Sequence, residues 1–478
     1  MLLNPGLASA AAQGGAAWFL EAFAGLTLWG ATACVVLCAV LAVSPAGRQR
    51  IGGEGASPEF GLVTWLSMLF AAGMGAGLVF WGSAEPLIHL ASPPPGSEGM
   101  SEAQLVRQAH ALTQFNWALH GWSIYAVAAL AIGIATKPGA VPLPSAPFTR
   151  LTPGWRRAVD WTALLAVLFG VVASLGQGVF QLGAGTEIAS RGALQDGVPG
   201  QIGLLVLLVA AYLASLATGL ARGIAFLSVV NVALAVGLAA FVVIAGPTGA
   251  ILRTLGEASA AYAAELPRLS FDLRPEGPGR QWTKDWTLTY FLWWAAWAPF
   301  MGVFVARISR GRTVRGFLAG VVLVPSLATL VWFSIFGGAA LEAQRAGADL
   351  GVNDFATAPK AAYVLLETLP FAAVSQALTL ALVFLFLVTS ADSGAYVLGQ
   401  FSRRKEEAGM TEKVFWGVVL AAMTGGAILS AEGQSVTRAF AVTGAIPLTL
   451  ILFAQALTLL RLFAKGAPKA VAKAPGPD

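Results

Sequence analysis

The sequence predicts an all-α polytopic membrane protein with about eleven transmembrane helices. Three observations lead there: the composition, the length of the apolar runs and the placement of the basic residues. Of 478 residues, 57 % are hydrophobic and 11 % are Asp, Glu, Lys or Arg, and the mean hydropathy is +0.72. An ordinary soluble domain carries roughly 25 % charged residues. The composition therefore excludes a soluble enzyme, a disordered protein and a nucleic-acid binder. It leaves 55 glycines and 15 tryptophans to be explained.

A spanning helix needs about 20 mostly apolar residues. Eleven runs of that kind lie near 18–44, 60–88, 109–136, 158–185, 200–220, 223–249, 286–306, 314–340, 372–400, 412–430 and 440–463. Their connections are short and polar, with two exceptions. Residues 251–285 carry Pro, Gly and mixed charge and read as an extracellular loop, and 341–371 holds a short helix ending near Pro370. The last residues, 464–478, are rich in Ala, Pro and Lys and read as a short disordered cytoplasmic tail.

Lysine and arginine set the orientation, because cytoplasmic segments are enriched in them. With the N-terminus outside and eleven crossings, 19 of the 29 basic residues fall on the cytoplasmic side. Five of the remaining ten sit in the one long outer loop. The first fifteen residues contain no basic n-region, so no cleavable signal peptide is expected.

Taken in chain order, the first run holds Cys34 and Cys38, four apart, a spacing that fits two small buried residues on one helix face. No metal-ligand or disulfide spacing accompanies them. The second run contains Gly73-Met74-Gly75-Ala76-Gly77. Each glycine weakens a helix by roughly 1 kcal/mol relative to alanine. Gly73 and Gly77 fit a small-xxx-small packing face. With Gly75 they equally fit a helix break whose carbonyls ligate a small cation.

The third run carries Trp117, His120, Trp122 and Tyr125, with Trp122 and Tyr125 on one face at i, i+3. His120 reads as a hydrogen-bonding strut in preference to a proton site. In the segment Trp286–Trp297, Tyr290, Trp294 and Trp297 fall at i, i+4 and i+7, and Trp293 and Trp297 form a second i, i+4 pair. The stripe extends about 16 Å into the span, whereas an interfacial belt clusters at a helix end. That favours an aromatic cage, whose natural guest is a quaternary ammonium group; Trp286, at the start, reads as belt. The basic stretch Arg307–Arg315 serves as a cytoplasmic anchor, with a gate or lipid-headgroup role as the alternative. Last comes Thr389-Ser390-Ala391-Asp392-Ser393. Four polar groups in five residues at membrane depth must face protein, water or an ion. Their oxygens suit a hard cation, or the hydroxyls bond back to their own helix carbonyls. Asp392 needs a partner or a cap in either case.

Together these segments resemble the betaine/choline/carnitine transporter family. The likeness runs from about Pro58 to Phe463 and rests on Phe70–Pro86, Trp117–Tyr125, Trp286–Arg315, Trp332–Gly338 and Thr389–Ser393. Phe291 stands where a tryptophan is usual. The resemblance implies a LeuT-like inverted repeat of two five-helix units, over 58–250 and 286–463. Residues 1–57 then contribute one extra helix where the family has two, so the family's first helix is expected to be missing. It also implies a homotrimer in a bacterial-type inner membrane, in contact with lipid and with no nucleic-acid partner.

Carried over residue by residue, the resemblance implies that Trp117, Trp122, Tyr125 and Trp294 hold the substrate's ammonium group, with Trp293 and Trp297 lining the same path. It implies a sodium ion held by the carbonyls of Ala71, Met74 and Phe386 and the hydroxyls of Thr389 and Ser390. Proton-coupled choline carriers of the family tend to have an aspartate at the position of Gly77, which favours sodium coupling. A second sodium site is less well matched, since Ala173 replaces a frequent threonine. The expected function is sodium-coupled import of a betaine-like osmolyte by alternating access, with no organic cofactor and no enzymatic activity. The rivals are a sodium-independent exchanger, a proton-coupled choline or carnitine carrier, and a non-transporting osmolyte sensor. The short tail offers no long basic helix for osmotic activation.

Overall fold

In the computed structural model, residues 5–464 are described except 74, 138–139, 219, 405–408 and 431–432. Side chains are further left undescribed at 5–13, 16, 216–218, 220–225, 435, 438, 441, 443 and 464. Met74 and the tail from 465 onward thus lie outside the described residues.

The first half comprises α1 (Pro5–Val43), α2 (Leu62–Gly73), α3 (Gly75–Ala91), α4 (Glu102–Trp117), α5 (Leu119–Ala135), α6 (Pro153–Ala189), α7 (Val198–Thr218) and α8 (Leu220–Ala245). After α9 (Thr248–Phe271) come α10 (Pro278–Thr283), α11 (Thr289–Ile308), α12 (Val314–Leu318), α13 (Val324–Arg345), α14 (Ala361–Glu367), α15 (Ala372–Arg403), α16 (Met410–Ile428) and α17 (Gly433–Ala464). π-helical turns at 284–288 and 319–323 join α10 to α11 and α12 to α13, so each pair forms one long rod.

Among the described residues, nine helices are long and apolar enough to cross a membrane, or ten if the bent pair α2–α3 is one span. The remaining predicted run, 412–430, exists as α16, whose first turn carries Glu412 and Lys413 and so lowers its apolar character. The segment 251–285 differs from its reading as a loop. It is mostly helical, because Ile251, Ala258, Tyr262 and Leu269 make one buried stripe while charged residues occupy the rest of α9. α9 lies along α4 and α13. An amphipathic helix of this kind gives no run of 20 apolar residues, which is why hydropathy alone missed it.

The connecting segments predicted to share one side of the membrane do meet. Arg50 bridges to Thr313, Arg307 pairs with Glu59 at 2.6 Å, and Arg315 Nε donates to Ala42 O at 2.6 Å. At the other end Arg345 pairs with Glu102, Lys284 with Glu21, and Arg274 Nη1 donates to Pro95 O at 2.9 Å. Most of the basic stretch 307–315 thus clamps the chain between α1 and α2. Arg312 lies 3.8 Å from the centre of the Trp65 ring, and Trp65 Nε1 donates to Ser309 Oγ at 2.9 Å. Cys34 and Cys38 are both buried thiols on α1, as their spacing suggests.

Candidate functional site

The second span is broken. α2 ends at Gly73, α3 starts at Gly75, and the two axes are bent by 64°. Gly75 has φ +26°, a backbone state that side-chain-bearing residues rarely adopt. Gly73 serves close approach instead: a Cβ there would lie 2.8 Å from Trp122 Cη2. Gly77 faces Trp117 in the same way, at 3.3 Å. The glycine motif thus has a break at its centre and close packing at its ends.

The break opens onto a cavity with an empty volume of about 740 Å³, mouth included. Its lining includes eight aromatic side chains, among them Trp117, Tyr125, Trp293, Trp294 and Trp297 from the expected set. Tyr125 and Trp294 meet with ring centroids 4.8 Å apart, and Trp117 and Trp294 meet edge to face at 6.0 Å. Gly121 makes room for Trp294, since a Cβ there would sit 2.2 Å from the indole.

Trp122 is placed differently. It is 0 % exposed and does not line the cavity; it packs behind Trp294 at 5.8 Å and against Gly73. Trp286 is buried between His89, Tyr290 and Phe355, so it is neither a lipid-facing belt residue nor part of the lining. His120 is a strut, with Nε2 at 3.3 Å from both Thr32 Oγ1 and Ser270 Oγ.

The rings are held by their polar edges. Trp294 Nε1 donates to Asn116 O at 2.9 Å. Trp117 Nε1 and Tyr290 OH both donate to Glu85 Oε2 at 2.6 Å, and Asn116 Nδ2 donates to Glu85 Oε1 at 2.8 Å. With N–H and O–H groups thus engaged, the apolar faces of the indoles are left to the cavity. Glu85 is 0 % exposed, and its role was missed in the sequence. The available signal was a carboxylate inside an apolar run, which at membrane depth marks a functional position. Trp81 of the lining was likewise visible only as a member of a motif, whereas Tyr290 stood in the aromatic stripe.

The helix break also faces α15. A Cβ on Gly75 would lie 3.5 Å from Ser390 Oγ and 3.6 Å from Phe386 Cδ1. Thr389 Oγ1 donates to Phe386 O at 2.9 Å, and Asn231 Nδ2 reaches Thr389 Oγ1 at 3.4 Å. Ala71 is buried at the end of α2. Four of the five expected ion ligands are therefore on the two elements that meet at the break, and Met74 lies outside the described residues. Thr389 thus bonds back to its own helix carbonyl, as the alternative reading has it; hydroxyl and carbonyl oxygens are also the donors a hard cation takes, so the residues fit such an ion. Among the described residues no group of three His, Cys, Asp or Glu could hold a metal. Asp392 has the partner it required, accepting from Ser215 Oγ at 2.6 Å.

Comparison with known proteins shows the family. The model of the betaine/carnitine/choline family transporters matches residues 1–467. The glycine betaine transporter OpuD of Bacillus subtilis is 34 % identical over 476 residues, covering 97 % of this chain and 91 % of its own. A glycine betaine/proline/choline transporter of Vibrio parahaemolyticus is 35 % identical over 93 % of this chain and 83 % of its own. The ectoine/glycine betaine/proline transporter EctP of Corynebacterium glutamicum is 34 % identical over 93 % of this chain and 74 % of its own. The chain belongs to the betaine/carnitine/choline transporter family, and is a multi-pass membrane transporter rather than an enzyme.

Proposed function

We propose that this protein imports a betaine-like quaternary ammonium or related zwitterionic osmolyte together with sodium, by alternating access, across a bacterial-type plasma membrane. The observation that carries the reading is the juxtaposition of an aromatic-lined cavity and a helix break. Trp117, Tyr125 and Trp294 offer aromatic rings to a cation that has no N–H to donate in a hydrogen bond. The oxygens of Thr389, Ser390 and Phe386 stand at the same break. Sodium bound there would hold α2 and α3 against α15 and so stabilise the wall of the substrate cavity. That link gives the ion gradient a means of driving uptake.

Element order supports an inverted repeat. Five units follow α1, namely α2–α3, α4–α5, α6, α7 and α8, and five more follow α9, namely α10–α11, α12–α13, α15, α16 and α17. Their packing is reciprocal: α3 lies on α13 as α5 lies on α11, and α6 lies on α17 as α8 lies on α15. A homotrimer with cytoplasmic C-termini completes the proposal.

The test is counterflow of labelled glycine betaine in proteoliposomes. Uptake should collapse when sodium is replaced by potassium at matched membrane potential. Equal uptake in potassium would reject the coupling, and the absence of any counterflow would reject transport of this substrate.

A further inference from the structure

The aromatic rings account for only one end of a zwitterion. The cavity has a second, polar wall on α6, where Ser174, Gln177 and Gln181 line the space. These residues fall at i, i+3 and i+7, so one helix face presents them over about 10 Å. Gln181 is 1 % exposed, yet neither its Oε1 nor its Nε2 has a hydrogen-bond partner. Buried side-chain amides are normally satisfied, and one left open in a binding cavity needs an explanation.

We propose that Gln181, with Gln177 one turn before it, binds the anionic end of the substrate and makes the site selective for zwitterionic over purely cationic quaternary ammonium compounds. This assignment rests on the reading of the aromatic wall as the seat of the ammonium group. No lysine, arginine or histidine is among the described residues that line the cavity, so among its side chains only neutral donors can receive a carboxylate. A glutamine amide supplies two N–H donors and one acceptor and adds no charge to the empty site. A basic side chain would instead leave a buried charge unpaired whenever substrate is absent. The polarity of the site agrees. Glu85 stands behind the aromatic rings through its bonds from Trp117 and Tyr290, while the amides come from a different helix. An acceptor carboxyl thus backs the aromatic wall, and the amide donors stand on another helix.

The experiment compares glycine betaine and choline, which share the trimethylammonium head and differ at the other end. Affinities are measured by titration calorimetry on purified wild type and on Gln181→Glu, Gln181→Leu and Gln177→Glu, with thermal unfolding as the control for folding. Gln181→Glu is nearly isosteric and replaces the donor by an acceptor. It should weaken betaine by about tenfold or more, the worth of a hydrogen bond to a charged group, while choline is unchanged or tighter. Gln181→Leu should lose betaine affinity similarly without gaining choline. Gln177→Glu is half-buried and should shift the ratio in the same direction, which keeps the test alive if the Gln181 variants do not fold. A betaine-to-choline ratio unchanged in the folded variants would overturn the assignment and move the carboxylate to another donor, such as the first amides of α3. Wild-type binding of choline without betaine would also overturn it. Wild type that binds neither compound would overturn the aromatic-seat reading itself, and this assignment with it.

Discussion

Glu85 Oε2 lies 2.6 Å from the indole nitrogen of Trp117, and the same oxygen accepts from Tyr290 OH. One carboxyl oxygen on α3 therefore orients a ring from α4 and a ring from α11. With Asn116 and His89 on Oε1, four groups converge on this one carboxyl group.

Glu85→Gln should disturb both rings, because an amide replaces one pair of acceptors by a donor. Betaine affinity is expected to fall by tenfold or more. Stability should drop by about 1–3 kcal/mol, the cost of stranding buried donors. Calorimetric titration and thermal unfolding read the two effects separately. A loss of stability with unchanged affinity would confine Glu85 to folding.

Trp294→Phe and Trp122→Phe should separate the lining from its support. Trp294 faces the cavity, and its replacement should weaken binding by about 0.5–2 kcal/mol. Trp122 is buried behind it, and its Nε1 has no partner to lose. Its replacement should lower the unfolding temperature through a packing defect of about 1–2 kcal/mol and leave affinity nearly unchanged. Equal effects on affinity would place both rings against the substrate.

Gly75→Ala and Gly121→Ala should fail for different reasons. At Gly75 space exists, but φ is +26°, so the cost is backbone strain of about 1–2 kcal/mol. The loss should appear as weaker stabilisation by sodium. At Gly121 the new methyl meets the Trp294 indole, so substrate affinity should suffer most. Thermal shift assays with sodium alone and with betaine alone distinguish them.

Thr389→Val removes one hydroxyl from the α15 side of the break and keeps the shape. The sodium concentration for half-maximal uptake should rise several-fold, an order-of-magnitude expectation for losing one oxygen donor. Unchanged sodium dependence in flux measurements would move the ion away from Thr389.

Arg312→Lys should loosen the clamp between α2 and the segment after α11. Arg312 stacks on Trp65 at 3.8 Å and also donates through Nη2 to Phe60 O at 2.9 Å. A lysine loses the planar stacking and the fork. Unfolding temperature should fall by an amount matching about 1 kcal/mol, with betaine affinity unaffected.

Much of the molecule was legible in the residues. Runs of about 20 apolar residues located the spanning rods. The positions of Arg and Lys predicted which connections share a side, and Arg50–Thr313 and Arg345–Glu102 fall on segments paired in that way. The stripe Tyr290, Trp294 and Trp297 followed from spacing alone, whereas the glycine motif fitted a packing face and a break equally, and the structure chose the break at Gly75. α9 escaped because its apolar residues form a stripe and never a continuous run.

By itself, the sequence determined the membrane-spanning architecture, the family and the aromatic character of the site, since these depend on composition, run length and spacing along one helix. Only the tertiary structure decided that Trp122 stands behind the cavity, that Glu85 secures Trp117 and Tyr290, and that Gln181 lines the cavity without a partner. The physical reason is that these spans are apolar almost all round. Periodicity then says which residues share a face, but not which face a neighbouring helix will cover; that is set by how the helices pack against one another.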